Sequence, residues 1–143
     1  MSALPAGYRL SFDPADADPV AAHAYLARSY WSPGIPLETV RRAMAHSLCC
    51  SVHDAGGQIG MARVITDYAT HAYVADVYVL EEHQGRGLAQ AMIAALKAHP
   101  DLRGLRRWML FTRDAHSLYA RFGFGPLEHP ERAMLLDSPD IHA

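Results

Sequence analysis

The run Val77-Tyr78-Val79-Leu80-Glu81-Glu82-His83-Gln84-Gly85-Arg86-Gly87-Leu88-Ala89 constrains this chain more than any other stretch. Its apolar, β-branched beginning reads as a strand and its two glycines as a turn. From about Gly87 to Ala98 the residues Leu88, Met92, Ile93 and Leu96 share one helical face, and Pro100 stops the helix. A strand feeding a helix through a tight turn commits the chain to an α/β arrangement. The turn is also a candidate anion site. The first amides of a helix have no partner inside it, and the helix dipole adds partial positive charge there. Gly85 and Gly87 let the backbone approach a phosphate closely, and Arg86 adds a charge-assisted donor. The alternative is a glycine turn that only caps a helix. The dinucleotide pattern G-x-G-x-x-G/A fails, because Gln90 stands at its third position, and the P-loop pattern is absent.

The rest of the chain supplies a sheet and its cover. Tyr8 to Phe12 alternates like a short strand. Asp18 before Pro19 is an N-cap signal for a helix to about Arg28. Ser32 to Pro36 is a stiff turn, followed by a second helix from Leu37 to His46. Leu48 to His53 and Gln58 to Thr66 form a hairpin around Asp54-Ala55-Gly56-Gly57. A further strand runs from about Ala72 to Leu80. After the glycine-turn helix come a strand at Trp108 to Thr112, a short helix at Ala115 to Phe122 ended by Gly123, and a last strand at Ala133 to Leu136. The order β-α-α-β-β-β-α-β-α-β predicts a mixed α/β sheet covered by helices, in one domain spanning 1–143.

Composition narrows the function classes. A length of 143 residues fits one compact domain, and half the residues are hydrophobic, as in ordinary globular chains. The formal net charge of -2 and the absence of Lys/Arg runs give no nucleic-acid signature. No window is long and apolar enough for a membrane span, and the N-terminus lacks the pattern of a signal peptide. Cys49 and Cys50 are adjacent in a strand and read as small core residues rather than a disulfide. The expected location is the cytoplasm. Nine histidines invite a search for metal ligands, but His83, His116 and the others show no ligand spacing, so no metal is expected.

A second segment gives the glycine turn its meaning. The strand at Trp108 to Thr112 is followed by Arg113-Asp114-Ala115-His116-Ser117-Leu118-Tyr119-Ala120-Arg121-Phe122-Gly123-Phe124. Together the two segments resemble the GNAT superfamily of N-acetyltransferases. Gln84, Gly87 and Ala89 match that family's pyrophosphate loop Q/R-x-x-G-x-G/A. Ala115, Leu118, Tyr119, Gly123 and Phe124 match its later helix A-x-x-L-Y-x-x-x-G-F. The resemblance covers roughly Leu48 to Leu136, and the first 47 residues match only in carrying two helices. It implies a mostly antiparallel central sheet with a V-shaped splay between the fourth and fifth strands. Acetyl-coenzyme A would be the co-substrate. Its pantothenyl arm would pair with backbone near Val77 and Val79, its pyrophosphate would sit on Gln84, Gly85, Arg86, Gly87, Leu88 and Ala89, and an N–H near Val79 would polarise the thioester carbonyl. Thr112 stands where the family often has an asparagine contacting that arm. Tyr119 would protonate the departing thiolate; otherwise it is an amphipathic core tyrosine.

Three residues bear on the acceptor. Asp76 interrupts the apolar run Tyr73 to Val79, and an unpaired buried carboxylate is costly. It is either a general base or cationic hook, or one half of a structural ion pair with Arg63 or Arg113. Tyr30 and Trp31, beside a stiff turn, are either an acceptor wall or ordinary packing. His116 is a partly exposed helix residue or a member of a proton relay. The function expected is transfer of an acetyl group to a primary amine by direct attack in a ternary complex, on a small-molecule or peptide acceptor, in a monomer or homodimer. The alternative from another class is a non-catalytic acyl-coenzyme A sensor on the same fold.

Overall fold

A computed structural model describes residues 4–138 and 141. The hairpin forms first in logic. β2 (Leu48–Asp54) and β3 (Gly57–Thr66) pair antiparallel from Leu48↔Val64 to Asp54↔Gly57, and the Asp54 side chain closes the turn by accepting from the Gly56 amide at 2.8 Å. β1 (Arg9–Ser11) adds to β2, and β4 (His71–Val79) adds to β3, both antiparallel. β5 (Arg107–Met109) joins β4 in parallel, giving the order β1-β2-β3-β4-β5. This is the expected mixed sheet, with one parallel pair at its edge.

Helices cover both faces. α1 (Pro19–Leu26) begins at Asp18, whose carboxylate accepts from the Val20 and Ala21 amides at 3.0 and 3.2 Å. With α2 (Leu37–Ala45) it closes a smaller cluster of Ala22, Leu26, Val40, Met61 and Tyr78. On the other face α3 (Leu88–Ala98) lays Leu88, Met92, Ile93 and Leu96 against Cys50, Val52, Ala62, Val64, Ala72 and Val74. Burying side chains of this size stabilises by about 1.5–3 kcal/mol each. α4 (His116–Ala120) is short and turns back at Gly123, where φ is 92° and the Phe124 amide donates to the Tyr119 carbonyl at 3.3 Å.

Two expectations need correction. The fifth strand pairs only at Arg107–Met109 rather than across Trp108 to Thr112, because the chain after Met109 diverges from β4. Ala133 to Leu136 is not a strand: it pairs with nothing among the described residues, and its side chains are exposed. An apolar run becomes a strand only where a neighbouring edge is within reach.

Candidate active site

The site opens where the sheet comes apart. β4 and β5 pair at His71↔Arg107, Ala72↔Trp108 and Tyr73↔Met109, and no further. Beyond Tyr73, β4 keeps β3 on one side and, among the described residues, has no strand on the other, so that edge carries unpaired backbone groups. The gap is a cleft of about 560 Å³, walled by Tyr73 to Val77 on one side and Phe111 to Ala115 on the other, with Tyr119 and the Tyr30–Ser32 loop completing it. This is the expected splay between the fourth and fifth strands.

A bulge shapes the β4 wall. Met61 pairs with Tyr78 and Arg63 with Ala75, so Asp76 and Val77 together face the single residue Ala62. Asp76 takes the extra turn at φ 55°, a left-handed conformation that Asp tolerates better than most residues. Its carboxylate is fixed at both oxygens. Trp31 Nε1 donates to Oδ1 at 3.0 Å, and Arg63 Nε donates to Oδ2 at 2.9 Å. Arg63 is held in turn through Nη1, which donates to Ser47 Oγ at 3.0 Å. Of the two ion-pair partners open to Asp76, the structure supplies Arg63; Arg113 instead lies over the Tyr30 ring, 3.9 Å from its centroid, and its amide donates to the Tyr30 hydroxyl at 3.0 Å.

Tyr30 and Trp31 belong to the cleft rather than to the core, at 45% and 38% exposure. Their loop is stiff for local reasons. Ser29 Oγ donates to the Leu26 carbonyl and accepts from the Ser32 amide, and the Gly34 amide donates to the Ala27 carbonyl. The two rings meet edge to face at 5.1 Å.

Tyr119 faces the cleft from α4 and is almost wholly buried. Burial pushes its phenol up to about 12, and the neighbouring Tyr30 adds to the shift. The hydroxyl therefore keeps its proton at neutral pH. Thr112 also lines the cleft, but its Oγ1 accepts from the Ala115 amide at 3.0 Å and so closes the turn that leads into α4. Burial pushes Cys49 up to about 11 and Cys50 to about 12, which keeps both as thiols, and neither lines the cleft. His116 is exposed on α4 beside an adjoining groove, and among the described residues no cluster of His, Cys, Asp and Glu is arranged to hold a metal.

The glycine turn lies past the cleft, at the far end of β4. Gly85 and Gly87 have φ of 80° and 76°, and a side chain built on either would meet nothing within 4 Å, so this backbone is open on its outer side. Gln84 Nε2 donates to the Val79 carbonyl at 2.9 Å and ties the turn to the strand. Arg86 Nη1 donates to the Tyr8 hydroxyl at 2.7 Å. Gly87 opens α3 with no side-chain cap, which leaves the amides of the first helical turn free. Leu88 contributes only its amide, since its side chain is in the core, as is Val79, while Ala89 is half-buried. The structure thus brings Asp76, Val77, Thr112, Tyr119, Tyr30 and Trp31 to one cleft and sets Val79 and Gln84–Ala89 beyond it. Sequence reasoning missed Arg113 and Phe111 as walls; no motif singled them out.

Comparison with known proteins agrees with this geometry. The family model of the acetyltransferase (GNAT) domain matches residues 45–126. A Gibberella zeae protein assigned as an acetyltransferase is 30% identical over 138 residues, covering 80% of this chain and 76% of its own. A crystal structure from Xanthomonas campestris pv. campestris, assigned to the GNAT family, superposes with a TM-score of 0.94 at 45% identity over 99% of both chains. A Clostridium acetobutylicum protein solved with acetyl-CoA superposes at 0.66, with 16% identity over 91% of this chain and 94% of its own, and shares the fold. The chain belongs to the GNAT acetyltransferase family.

Proposed function

We propose that this protein is an acetyl-coenzyme A-dependent N-acetyltransferase acting on a primary amine. The observation that carries the reading is the parting of β4 from β5 after Tyr73↔Met109, which leaves an unpaired strand edge along a cleft that also holds Tyr119. An extended ligand arm can add to such an edge as a strand does. The free amides and open glycines at Gly85–Ala89 fit a pyrophosphate, with the Arg86 guanidinium beside them. Acetyl-coenzyme A supplies a thioester, and the chain's residues supply the rest.

The amine must shed a proton before it attacks, since a lysine-like ammonium has a pKa of ~10.4. Tyr30, Trp31 and Phe111 offer aromatic faces to a cation at the mouth of the cleft. Asp76 and Arg63 form a nearly compensated pair, so Asp76 serves best by orienting Trp31 and the bulge, and the amine's proton leaves through water. The nitrogen then bonds to the acyl carbon, releases a second proton to water as the amide forms, and the carbon–sulfur bond breaks. The Tyr119 hydroxyl, protonated at working pH, gives its proton to the departing sulfur and regains one from solvent. Direct attack is favoured over an acyl-enzyme because Cys49 and Cys50 stay protonated and away from the cleft.

The test is calorimetry with acetyl-coenzyme A, followed by a screen of amines that detects free coenzyme A thiol. Binding with turnover on an amine is expected. Tighter binding of a nicotinamide dinucleotide would overturn the cofactor assignment, and acetyl-coenzyme A binding without turnover on any amine class would favour a sensor.

A further inference from the structure

The guanidinium of Arg86 is held by a chain of side chains that starts outside the glycine turn. Its Nη1 donates to the Tyr8 hydroxyl at 2.7 Å, and that hydroxyl lies 2.6 Å from His83 Nδ1. His83 Nε2 faces Asp54 Oδ2 at 3.5 Å. Local structure fixes each member. Tyr8 directly precedes β1, where Arg9 pairs with His53, so the register brings it beside Asp54. Asp54 ends β2, and its Oδ1 closes the hairpin by accepting from the Gly56 amide, which leaves Oδ2 for His83. His83 ends a 3-10 turn at Glu81–His83, and its amide donates to the Leu80 carbonyl at 2.9 Å. The His83 and Tyr8 rings meet edge to face at 5.5 Å.

One assignment of protons gives every donor in this chain a partner. Arginine only donates, so the Tyr8 oxygen accepts from Arg86. The phenol proton is then directed to His83 Nδ1, which is the unprotonated nitrogen, and the imidazole proton sits on Nε2, facing the Asp54 carboxylate. The chain transmits order without charge, because the group that touches Arg86 is a neutral phenol. Arg9, Arg28, Arg41, Arg63 and Arg113 are each ion-paired with a carboxylate; among the described residues Arg86 is not. A latch that served only to fasten the chain would gain more from a carboxylate, since charge-assisted pairs are the stronger ones. Here the positive charge stays uncompensated, beside the free amides that begin α3.

We propose that Tyr8 and His83 are positioning residues for cofactor binding. Through the Tyr8 hydroxyl they keep the Arg86 guanidinium ordered and uncompensated, ready for the pyrophosphate of acetyl-coenzyme A. The inference rests on the reading of the glycine turn as the pyrophosphate site. An untethered arginine on an exposed turn loses rotamer freedom when it binds an anion, and one already tethered loses less. Tyr8 lies outside the residues 45–126 that the family model matches, so the tether comes from a part of the chain that the family pattern does not describe. The segment leading into β1 thereby serves the cofactor site as well as the sheet edge.

The test is titration calorimetry with acetyl-coenzyme A on the full chain and its variants, independent of any acceptor. The wild type is expected to bind. Tyr8→Phe keeps the ring and removes the hydroxyl, and should raise Kd about two- to ten-fold, the scale of ordering one long side chain on binding. In an Arg86→Ala background the same substitution should leave Kd unchanged, because no guanidinium remains to be held. A contribution to folding alone would show no such dependence. His83→Asn sets an amide oxygen near the place of Nδ1 and should bind like the wild type, whereas His83→Leu should bind like Tyr8→Phe. An unchanged Kd in Tyr8→Phe, an equal loss with and without Arg86, or an equal loss in the two His83 variants overturns the proposal. A wild type that binds no acetyl-coenzyme A overturns the reading of the glycine turn itself, and the positioning role with it.

Discussion

Asp76→Asn asks whether the carboxylate in β4 is a structural partner or a base. The substitution is nearly isosteric, and Asn tolerates the left-handed φ of 55° as well as Asp does. Its amide oxygen can still accept from Trp31 Nε1. What it removes is the charge opposite Arg63, whose Nε lies 2.9 Å from Oδ2. The two side chains are 11% and 13% exposed, so Arg63 would be left nearly buried with Ser47 as its remaining partner. Losing one member of a buried pair costs about 3–5 kcal/mol. The cleft admits some water, so the lower end, about 3 kcal/mol, is the working value. In a chain of this length each kcal/mol moves the midpoint by roughly 4 °C, which puts the expected drop near ~12 °C. Guanidinium unfolding followed by circular dichroism reads the free energy directly. Arg63→Met in the Asp76→Asn background should recover part of the loss, because the orphaned charge is then gone. A stability within about 0.5 kcal/mol of wild type, together with a large fall in rate, would refute the structural role and restore Asp76 as the base.

Other outcomes follow from the same geometry. Tyr119→Phe keeps the ring against Phe124 and removes the proton, so the maximal rate should fall about ten- to a thousand-fold with little change in acetyl-coenzyme A affinity by calorimetry. Gly87→Val should cost about 1–2 kcal/mol in chemical unfolding, from the φ of 76° alone since the space is open, and should remove acetyl-coenzyme A binding by blocking the turn. Stability should be flat through neutral pH and fall above about pH 9 in denaturant titrations. Four groups sit above their ordinary values, the half-buried Cys49 at about 11 and the buried Cys50 at about 12 against 9.0, and the buried Tyr78 and Tyr119 at about 12 against 10.0. A raised value favours the protonated folded form, so its stabilisation is complete below the unfolded value and is lost as pH climbs to the folded one.

How much of this was legible depended on whether the signal was local. The Asp18 cap, the Asp54 turn and the Gly85/Gly87 turn are set by residues acting on their own backbone, and each appears where the sequence implied. The apolar face of α3 repeats with helical period, and it is buried as that period requires. The length of β5 was not legible, because Leu110 to Thr112 have strand composition but no strand within reach once the sheet splays. The tail misled for the same reason: Met134 to Leu136 carry an apolar pattern, but among the described residues no strand edge pairs with them. Arg113 and Phe111 enter the cleft through tertiary packing, Arg113 against the Tyr30 ring, which no single window encodes.

Asp76 marks the point where local and tertiary requirements meet. Ala72 and Val74 face the α3 side of the sheet, and so do Val77 and Val79. Strict alternation would put Asp76 and Tyr78 on that side instead. The extra residue of the bulge reverses the parity, sending Tyr78 into the α1/α2 cluster and the Asp76 carboxylate to Arg63 and Trp31. Without it, a carboxylate would enter an apolar core unpaired, at a cost of several kcal/mol. With it, the left-handed φ costs about 1–2 kcal/mol at one residue, an amount the ion pair and the indole hydrogen bond can hold in place. The bulge also bends β4 beside the unpaired edge that opens the cleft. The residue that breaks the strand pattern in sequence is therefore the one that positions one wall of the cleft, since Trp31 is anchored to it. Replacing Asp76 by glycine would relieve the φ and keep the bulge, but it would release both Arg63 and Trp31, separating the backbone device from the side chains it orients.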